Sequence, residues 1–203
     1  MLNLPRSTEV KRPLPKTGLY RQFAWPASQR ERFDADISRL AFTNWISPHT
    51  LPAIAEGKDT KEIYVIEITL KSRNFDPRNI ILLARGIPQR VVYILRYEDE
   101  ARLAVYHSKL FTTNWQSLDA INLSLTGLNL DAVWENIVST IGDFLVEQDK
   151  SLTEQIKIDE ERDKLLRQIE ALERQMKATK QPRRKRELFK QIQQLKQLDN
   201  NDR

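Results

Sequence analysis

A single proline, Pro182, interrupts the most strongly patterned helical stretch of the chain and constrains its fold more than any other residue. Apolar residues recur at intervals of four, three and four before it, and of four and three after it, a spacing typical of narrow coiled-coil seams. The first seam consists of Leu165, Ile169, Leu172 and Met176, and the second of Leu188, Ile192 and Leu195. The two seams are out of heptad phase, and a proline inside a helix costs roughly 3 kcal/mol. The pattern therefore predicts two helices, about 152–178 and 183–198, folded as an αα-hairpin that bends at KATKQ, with a single kinked helix as the alternative.

The composition changes close to residue 150. Residues 1–149 contain 18 Lys and Arg against 18 Asp and Glu, whereas residues 150–203 contain 15 against 10. All five glycines and fifteen of the sixteen aromatic residues precede residue 150. These differences predict a globular domain over 1–149 with an extended N-terminal arm, followed by a basic helical hairpin over 150–203.

Proline and helical spacing organise the start of the first domain. Four prolines within residues 1–26 predict an extended arm, whose apolar residues indicate that it lies on the domain. Ser28 and Glu31 have the spacing of a capping box. The apolar residues that follow predict a helix over 28–43.

The next segments predict a sheet covered by helices. The β-branched run 61–71 predicts a central strand, and runs 90–97 and 102–110 predict a β-hairpin. The segment LFTTNW either extends the second strand of this hairpin or adds another strand. A short helix is predicted between the N-terminal signals Asp76 and Pro77 and the C-terminal signal Gly86. The segment 130–147 has the pattern of an amphipathic helix. The fold class is therefore α+β: a two-layer domain with a small antiparallel or mixed sheet, followed by the αα-hairpin.

The sequence argues against several classes of protein. The absence of cysteine excludes disulfides and thiolate sites, and no apolar run has the length of a signal peptide or a membrane span, so we expect a soluble, cytoplasmic protein. No glycine-rich phosphate loop or serine-nucleophile motif occurs, and neither His49 nor His107 has a partner at metal-ligand spacing. We therefore predict no catalytic residue, no metal and no cofactor.

Two groups of residues have a possible functional role besides a purely structural one. Glu67 and Lys71 lie on one face of the predicted strand, but four residues at ~3.3 Å each separate them by about 13 Å, too far for a shared metal in a nuclease. Trp45 and Trp115 occupy the similar phrases TNWIS and TNWQS, and Trp25 precedes a proline. Such tryptophans are usually core anchors, and the sharper alternative is an exposed groove that stacks bases or binds a partner.

A basic cluster surrounds Pro182. Between Arg174 and Lys190 the sequence contains eight basic residues and one acidic residue. Solvated helix surfaces normally mix both signs, whereas phosphates or an acidic partner would offset the repulsion within such a cluster. The predicted nucleic-acid-binding residues are Lys177, Lys180, Arg183, Arg184, Lys185, Arg186 and Lys190.

Several phrases of the sequence resemble, in the same order, the bacterial domain-of-unknown-function family numbered 4391. They are LPRSTEV, FTNWISPHTL, EIYVIEITLK, GIPQRVVYILRYE, LFTTNW and RQIEALERQMKATKQPRRKRELFKQIQQL. The resemblance implies no assigned catalytic activity. It does imply a setting, since members of that family tend to sit beside helicases and DNA methyltransferases in restriction-like or phage-defence gene clusters.

Together these features favour a non-enzymatic adaptor subunit of a DNA-acting complex. The first domain would bind a helicase or methyltransferase subunit, and the hairpin would present its basic residues to DNA or RNA. A metal-dependent nuclease-like enzyme and a purely structural coiled-coil dimeriser remain the alternatives.

Overall fold

The computed structural model describes residues 2–144, 151–179 and 181–201, with side chains described as far as Gln197. The chain divides into two compact units, Met1–Leu145 and Val146–Arg203. The first unit contains all of the strands and four of the helices in the described part of the chain. The second unit contains the two long helices.

Six helices and seven strands are present in the described residues. The helices are α1 (Lys16–Gln22), α2 (Ala27–Asp36), α3 (Arg78–Gly86), α4 (Leu130–Gly142), α5 (Leu152–Ala178) and α6 (Pro182–Asn201). The strands are β1 (Glu9–Pro13), β2 (Ile37–Ile46), β3 (Ile63–Leu70), β4 (Arg90–Tyr97), β5 (Glu100–His107), β6 (Lys109–Thr112) and β7 (Gln116–Ser117). A single 3₁₀ turn, Arg6–Thr8, precedes β1.

The seven strands form one mixed sheet with the order β1-β2-β3-β4-β5-β6, and β7 pairs with β5. Strands β3 and β4 are parallel, and all other neighbours are antiparallel. A parallel pair needs a long crossover connection, and α3 lies in the connection between β3 and β4. The prediction of an α+β fold with a mixed sheet is confirmed.

The core explains why β3 is central. Alternate residues Ile66, Ile68 and Leu70 join a buried cluster that also contains side chains from α1, α2, α3 and β4. Ile63 and Val65 point to the other face of the sheet and are fully buried as well. A strand buried on both faces is expected to read as a continuous apolar run, which is how the sequence identified it.

The predicted β-hairpin over 90–110 is also confirmed. Strands β4 and β5 pair antiparallel across a short turn that contains Glu98 in the left-handed region, with φ of 52°. The segment LFTTNW contributes to a separate strand, β6, which begins after Ser108, whose φ is 61°. The change of backbone direction at Ser108 keeps β6 from continuing β5.

The predicted helix over 28–43 is wrong in its second half, because α2 ends at Asp36 and β2 begins at Ile37. The buried residues Ile37 and Leu40 lie three apart, which imitates helical spacing. The register of β2 with β3 shifts twice, once just after Ile37 and once just after Phe42. Such bulges disturb strict alternation, so a paired strand here resembles a helix in its apolar pattern.

The predicted capping box at Ser28 is also wrong. Pro26 occupies the N-cap position of α2, and no side chain caps this helix. The prolines of the N-terminal arm do produce an extended segment, β1, which forms an edge strand against β2. Helix α1 was not anticipated, and its residue Leu19 is buried in the core cluster.

The helix predicted over 130–147 is confirmed as far as Gly142. Asn129 caps α4 by accepting a hydrogen bond from the backbone N–H of Ala132 at 2.9 Å, and Asp143 ends it in the left-handed conformation, with φ of 55°. Leu145, predicted on its inner face, lies outside the described residues. The other predicted inner-face residues are Val133, Trp134, Ile137 and Ile141, which are buried, and Phe144, which is half-buried.

No helix in the described part of the chain is long and apolar enough to cross a membrane.

Candidate nucleic-acid interface

The second unit is a pair of packed helices whose boundaries follow from local chemistry. Helix α5 begins with a capping box, in which Ser151 accepts a hydrogen bond from the N–H of Glu154 and the Glu154 carboxylate accepts one from the N–H of Ser151 at 2.9 Å. It ends at Ala178, and α6 begins at Pro182. Proline suits the first position of a helix because the missing N–H would have no intrahelical partner there.

The predicted seams face each other, as expected for an αα-hairpin. Ile169 on α5 and Leu188 and Ile192 on α6 are buried. An ion pair joins the helices, with the Lys196 ammonium 2.8 Å from the Glu173 carboxylate. The remaining seam residues, Leu165, Leu172, Met176 and Leu195, are half-buried. The chain therefore forms two helices and not the single kinked helix that was the alternative.

The hairpin brings the predicted basic residues to its bend. Lys177 lies in the last turn of α5, and Arg183, Arg184, Lys185 and Arg186 lie in the first turns of α6. All of these residues are exposed. Lys190 follows one turn later and is also exposed, and Lys180 lies outside the described residues. We call the four of these residues that line one groove, Lys177, Lys185, Arg186 and Lys190, the bend cations.

Arg183 and Arg184 differ from the bend cations because both approach one carboxylate. Glu187 lies 3.6 Å from the Arg183 guanidinium and 3.2 Å from that of Arg184. Within the described residues, no carboxylate lies at ion-pair distance from any bend cation. The first turn of α6 contains no acidic residue, so the partial positive charge of its N-terminus adds to the same region.

A groove of about 550 Å³ opens beside the bend cations. It is lined by Met176, Lys177, Lys185, Arg186, Phe189 and Lys190. A second depression of about 390 Å³ lies along the same side of α6, lined by Pro182, Arg183, Arg186, Glu187 and Lys190. The first groove therefore combines an apolar floor with a cationic rim.

Phe189 was missed by sequence reasoning. The residue is 53% exposed, and in the described part of the chain it is one of three exposed large apolar residues, with Leu128 and Leu166. The available signal was compositional, because Phe189 is the one aromatic residue of 150–203. It lies next to Leu188 but off the seam, so the periodic spacing that identifies seam residues does not identify it.

The tryptophans of the first unit are mostly occupied by internal contacts. Trp25 is 4% exposed and packs in the core cluster. Trp45 is half-buried and donates a hydrogen bond from Nε1 to the Glu62 carboxylate at 2.8 Å. The usual role of such residues, as anchors within the fold, fits both of them.

Trp115 lies in a stack of aromatic rings and guanidinium groups. The Arg73 and Arg102 guanidinium groups lie 5.5 and 5.1 Å from its ring centre, and Arg102 also lies 5.1 Å from the ring of Phe75. Burial lowers the pKa of Arg102. The stack holds the loop after β3 against the segment after β6, so Trp115 does not form an open aromatic groove.

The carboxylate and lysine considered for a nuclease are not brought together. The Glu67 carboxylate faces the Arg96 guanidinium at 4.0 Å, while the Lys71 ammonium donates to the backbone carbonyl of Asp34 at 2.6 Å. In residues 2–144, 151–179 and 181–201, no three His, Asp or Glu side chains are grouped so that they could hold a metal ion.

Each of the two histidines contacts a tryptophan. Trp134 Nε1 donates to Nδ1 of His107 at 3.3 Å, and burial, with the nearby Arg90 guanidinium, lowers the pKa of His107. His49 packs beside Trp45, with the ring centres 6.3 Å apart.

Comparison with known families gives one match that spans both the sheet unit and the helical hairpin. The chain belongs to the family described as Domain of unknown function (DUF4391), which it matches over residues 2–198. The resemblance noted from the sequence is therefore confirmed across both units. No curated protein and no solved structure was found to match the chain.

Proposed function

We propose that this protein is a non-enzymatic, cytoplasmic accessory subunit of a DNA-acting complex of the restriction-like or phage-defence kind. Its α+β unit binds a helicase or methyltransferase subunit, and its helical hairpin presents the bend to nucleic acid. The choice of partner rests on the setting that the family resemblance implies. The nucleic-acid contact rests on the hairpin itself.

The observation that carries the proposal is the concentration of positive charge at the bend, where eight basic residues and one acidic residue lie between Arg174 and Lys190. The bend cations lie around one groove, and within the described part of the chain none lies at ion-pair distance from a carboxylate, although the Lys177 charge helps to lower the pKa of Glu173. Like charges held this close repel one another unless an anion is near. A nucleic-acid backbone supplies regularly spaced phosphates, and arginine can bind a phosphate through two parallel hydrogen bonds.

Such binding should depend little on sequence, because long basic side chains at the end of a hairpin reach phosphates more readily than base edges. Three or four neutralised phosphates predict a slope of about −3 when log affinity is plotted against log salt concentration. The hairpin would then add affinity to a complex whose sequence specificity and chemistry belong to other subunits.

The test is a salt titration of binding to labelled DNA and RNA between about 50 and 200 mM salt. Its variant, Lys185→Gln, Arg186→Gln and Lys190→Gln, removes charge without adding repulsion, and we expect weak binding with a slope shallower than about −1. The matched control, Lys157→Gln, Lys164→Gln and Arg167→Gln, removes three exposed cations from α5 away from the bend. Equal binding by the two variants, or no binding by the wild type at low salt, would refute the proposal.

The alternatives make different predictions. A nuclease-like enzyme would cleave DNA in the presence of Mg²⁺ and lose that activity in Glu67→Ala. A structural dimeriser would show twice the chain mass in solution, and substitutions of the bend cations would leave its association unchanged.

A further inference from the structure

Phe189 is exposed where the architecture of the hairpin does not require an aromatic residue. The seam of α6 is formed by Leu188, Ile192 and Leu195, and Phe189 lies about 100° around the helix from Leu188. Its ring contributes to the floor of the groove with Met176, and 53% of its surface remains exposed. A singly exposed apolar side chain is common on protein surfaces, but an aromatic ring in a groove with a cationic rim is the combination that binds single-stranded nucleic acid in other proteins.

The spacing of the groove residues produces a definite pattern. Lys185 and Phe189 are four residues apart on α6, as are Arg186 and Lys190, so the members of each pair lie one turn apart on the same side of the helix. Met176 and Lys177, at the end of α5, complete the lining. The result is an apolar floor with cations on its rim.

We infer that this groove binds an unpaired nucleobase of single-stranded nucleic acid, with the base against the Phe189 ring and the flanking phosphates on the bend cations. This inference rests on the proposed nucleic-acid function and adds to it a preference for single-stranded over double-stranded nucleic acid. Proteins that bind single strands combine a positive groove with aromatic side chains that stack bases. The hairpin has both components in one place.

Charge complementarity selects this occupant over an apolar one. A purely apolar ligand or helix would cover Phe189 and Met176 but would leave the bend cations without an anion. A duplex would satisfy the cations through its phosphates but would leave Phe189 facing water, because its bases are already stacked on one another. A single strand offers an exposed base face and adjacent phosphates together.

The experiment compares three labelled ligands of equal length: a thymine single strand, the same backbone with abasic sites, and a duplex. Anisotropy titrations use the full chain and its Phe189→Ala, Phe189→Tyr and Leu166→Ala variants. Leu166 is the matched control, since it is a 40% exposed apolar residue of α5 that does not line the groove.

We expect the wild type to bind the thymine strand about tenfold more tightly than the abasic strand, within the range measured for stacking of a base on an aromatic side chain. Phe189→Ala should abolish that difference while keeping the salt slope, because stacking releases no counterions. Phe189→Tyr should restore it, and Leu166→Ala should leave it unchanged.

Other outcomes separate this inference from the function on which it rests. If the wild type binds all three ligands equally and Phe189→Ala changes nothing, the base site is refuted and the phosphate contact stands. If no ligand binds at low salt, the proposed function itself fails. If Phe189→Ala instead halves the mass of the protein in solution, the groove is occupied by a second copy of the chain, which would also overturn the inference.

Discussion

The two units of this protein differ in whether their charged and aromatic side chains are engaged by contacts within the fold. In the first unit the Asp34 carboxylate accepts hydrogen bonds from Lys16 at 2.7 Å and from Tyr20 at 2.6 Å, and Asp36 accepts one from the buried amide of Asn79 at 2.7 Å. In the second unit the bend cations have no such partners among the described residues, and Phe189 is half exposed. In the first unit these charges hold the fold, whereas in the hairpin the Lys196–Glu173 pair does so and the bend cations do not.

On the proposed function, this difference means that the binding surface lies where the stability of the fold constrains the side chains least. A narrow seam of seven apolar residues is enough to pair α5 and α6, so the rest of their surface is open to other chemistry. The sheet unit has less of that freedom, because both faces of its central strand are buried. The contrast can be tested by perturbing each unit and measuring both stability and binding.

The largest expected effect comes from removing the hairpin. A chain ending at Asp149 should lose nucleic-acid binding but remain folded, since its buried residues already form a core. Those residues include Ile66, Ile68, Val92, Ile94, Val105, Trp134, Ile137 and Ile141. Circular dichroism, denaturant titration and anisotropy would check both expectations. A truncated chain that is unfolded, or one that binds as well as the full chain, would break the comparison.

Two phenylalanine substitutions should have opposite consequences. Phe33 is fully buried, with its ring centre 5.0 Å from that of Trp25, so Phe33→Ala should lower the free energy of unfolding by about 3–5 kcal/mol. Phe189→Ala should change it by no more than about 0.5 kcal/mol, because the side chain is a surface residue. Urea denaturation measures both. A large loss of stability in Phe189→Ala would show that the ring is structural.

Asp131 illustrates how the first unit uses a charge internally. Its carboxylate accepts hydrogen bonds from the backbone N–H groups of Lys58 and Thr60 at 2.5 and 2.7 Å. Asp131→Ala leaves the N–H of the buried residue Thr60 without its partner, while water can replace the bond to the exposed Lys58, so it should cost about 1 kcal/mol of stability at neutral pH. Asn129, which caps the same helix, would still be present.

The pH dependence of this effect has a definite sign. Burial alone would raise the pKa of Asp131, but hydrogen bonds from Thr60 and from the backbone N–H groups of residues 58–60 outweigh burial and lower it. The stabilisation is therefore complete above the ordinary carboxyl pKa of about 3.9 and lost as the pH falls through the lower folded value. Denaturation of wild type and Asp131→Ala across acid pH should show their difference shrinking. A constant difference would contradict the assignment.

The smallest expected effect comes from removing the one carboxylate among the basic residues of the bend. Glu187→Gln removes the carboxylate that approaches Arg183 and Arg184, so nucleic-acid affinity should rise about two- to fivefold, as expected for one unit charge at ~4–8 Å in water. Glu170→Gln, at an exposed position of α5, provides the control. Unchanged or weaker binding by Glu187→Gln would exclude Arg183 and Arg184 from the interface.

The parts of the fold that could be predicted are those that a local sequence pattern marks. Strand β3 and the β4–β5 hairpin have β-branched runs with clear ends, and the α5–α6 pair has periodic seams separated by a proline. Strand β2 could not be read in the same way. Its two register shifts against β3 give it helix-like apolar spacing, and its pairing is decided by a strand that lies further along the chain.

The candidate site could likewise be predicted only in part. The basic residues were predicted because their excess is visible in the sequence, whereas the groove depends on how α5 and α6 meet. Met176 was correctly placed on the α5 seam, but its position beside Phe189 requires the three-dimensional pairing of the helices. The pairing of Glu187 with two of the predicted arginines likewise depends on side-chain geometry that counting charges does not resolve.

Photo-crosslinking tests the central claim, that the bend of the hairpin contacts nucleic acid, most directly. A photoreactive phenylalanine analogue would replace Phe189, Leu166 or Leu128 in the full chain, the last being an 89% exposed residue of the first unit. With labelled single-stranded DNA at low salt, the analogue at position 189 should form a crosslink that competes away with unlabelled DNA. The analogues at positions 166 and 128 should not. Crosslinking from position 128 with none from position 189 would contradict the account.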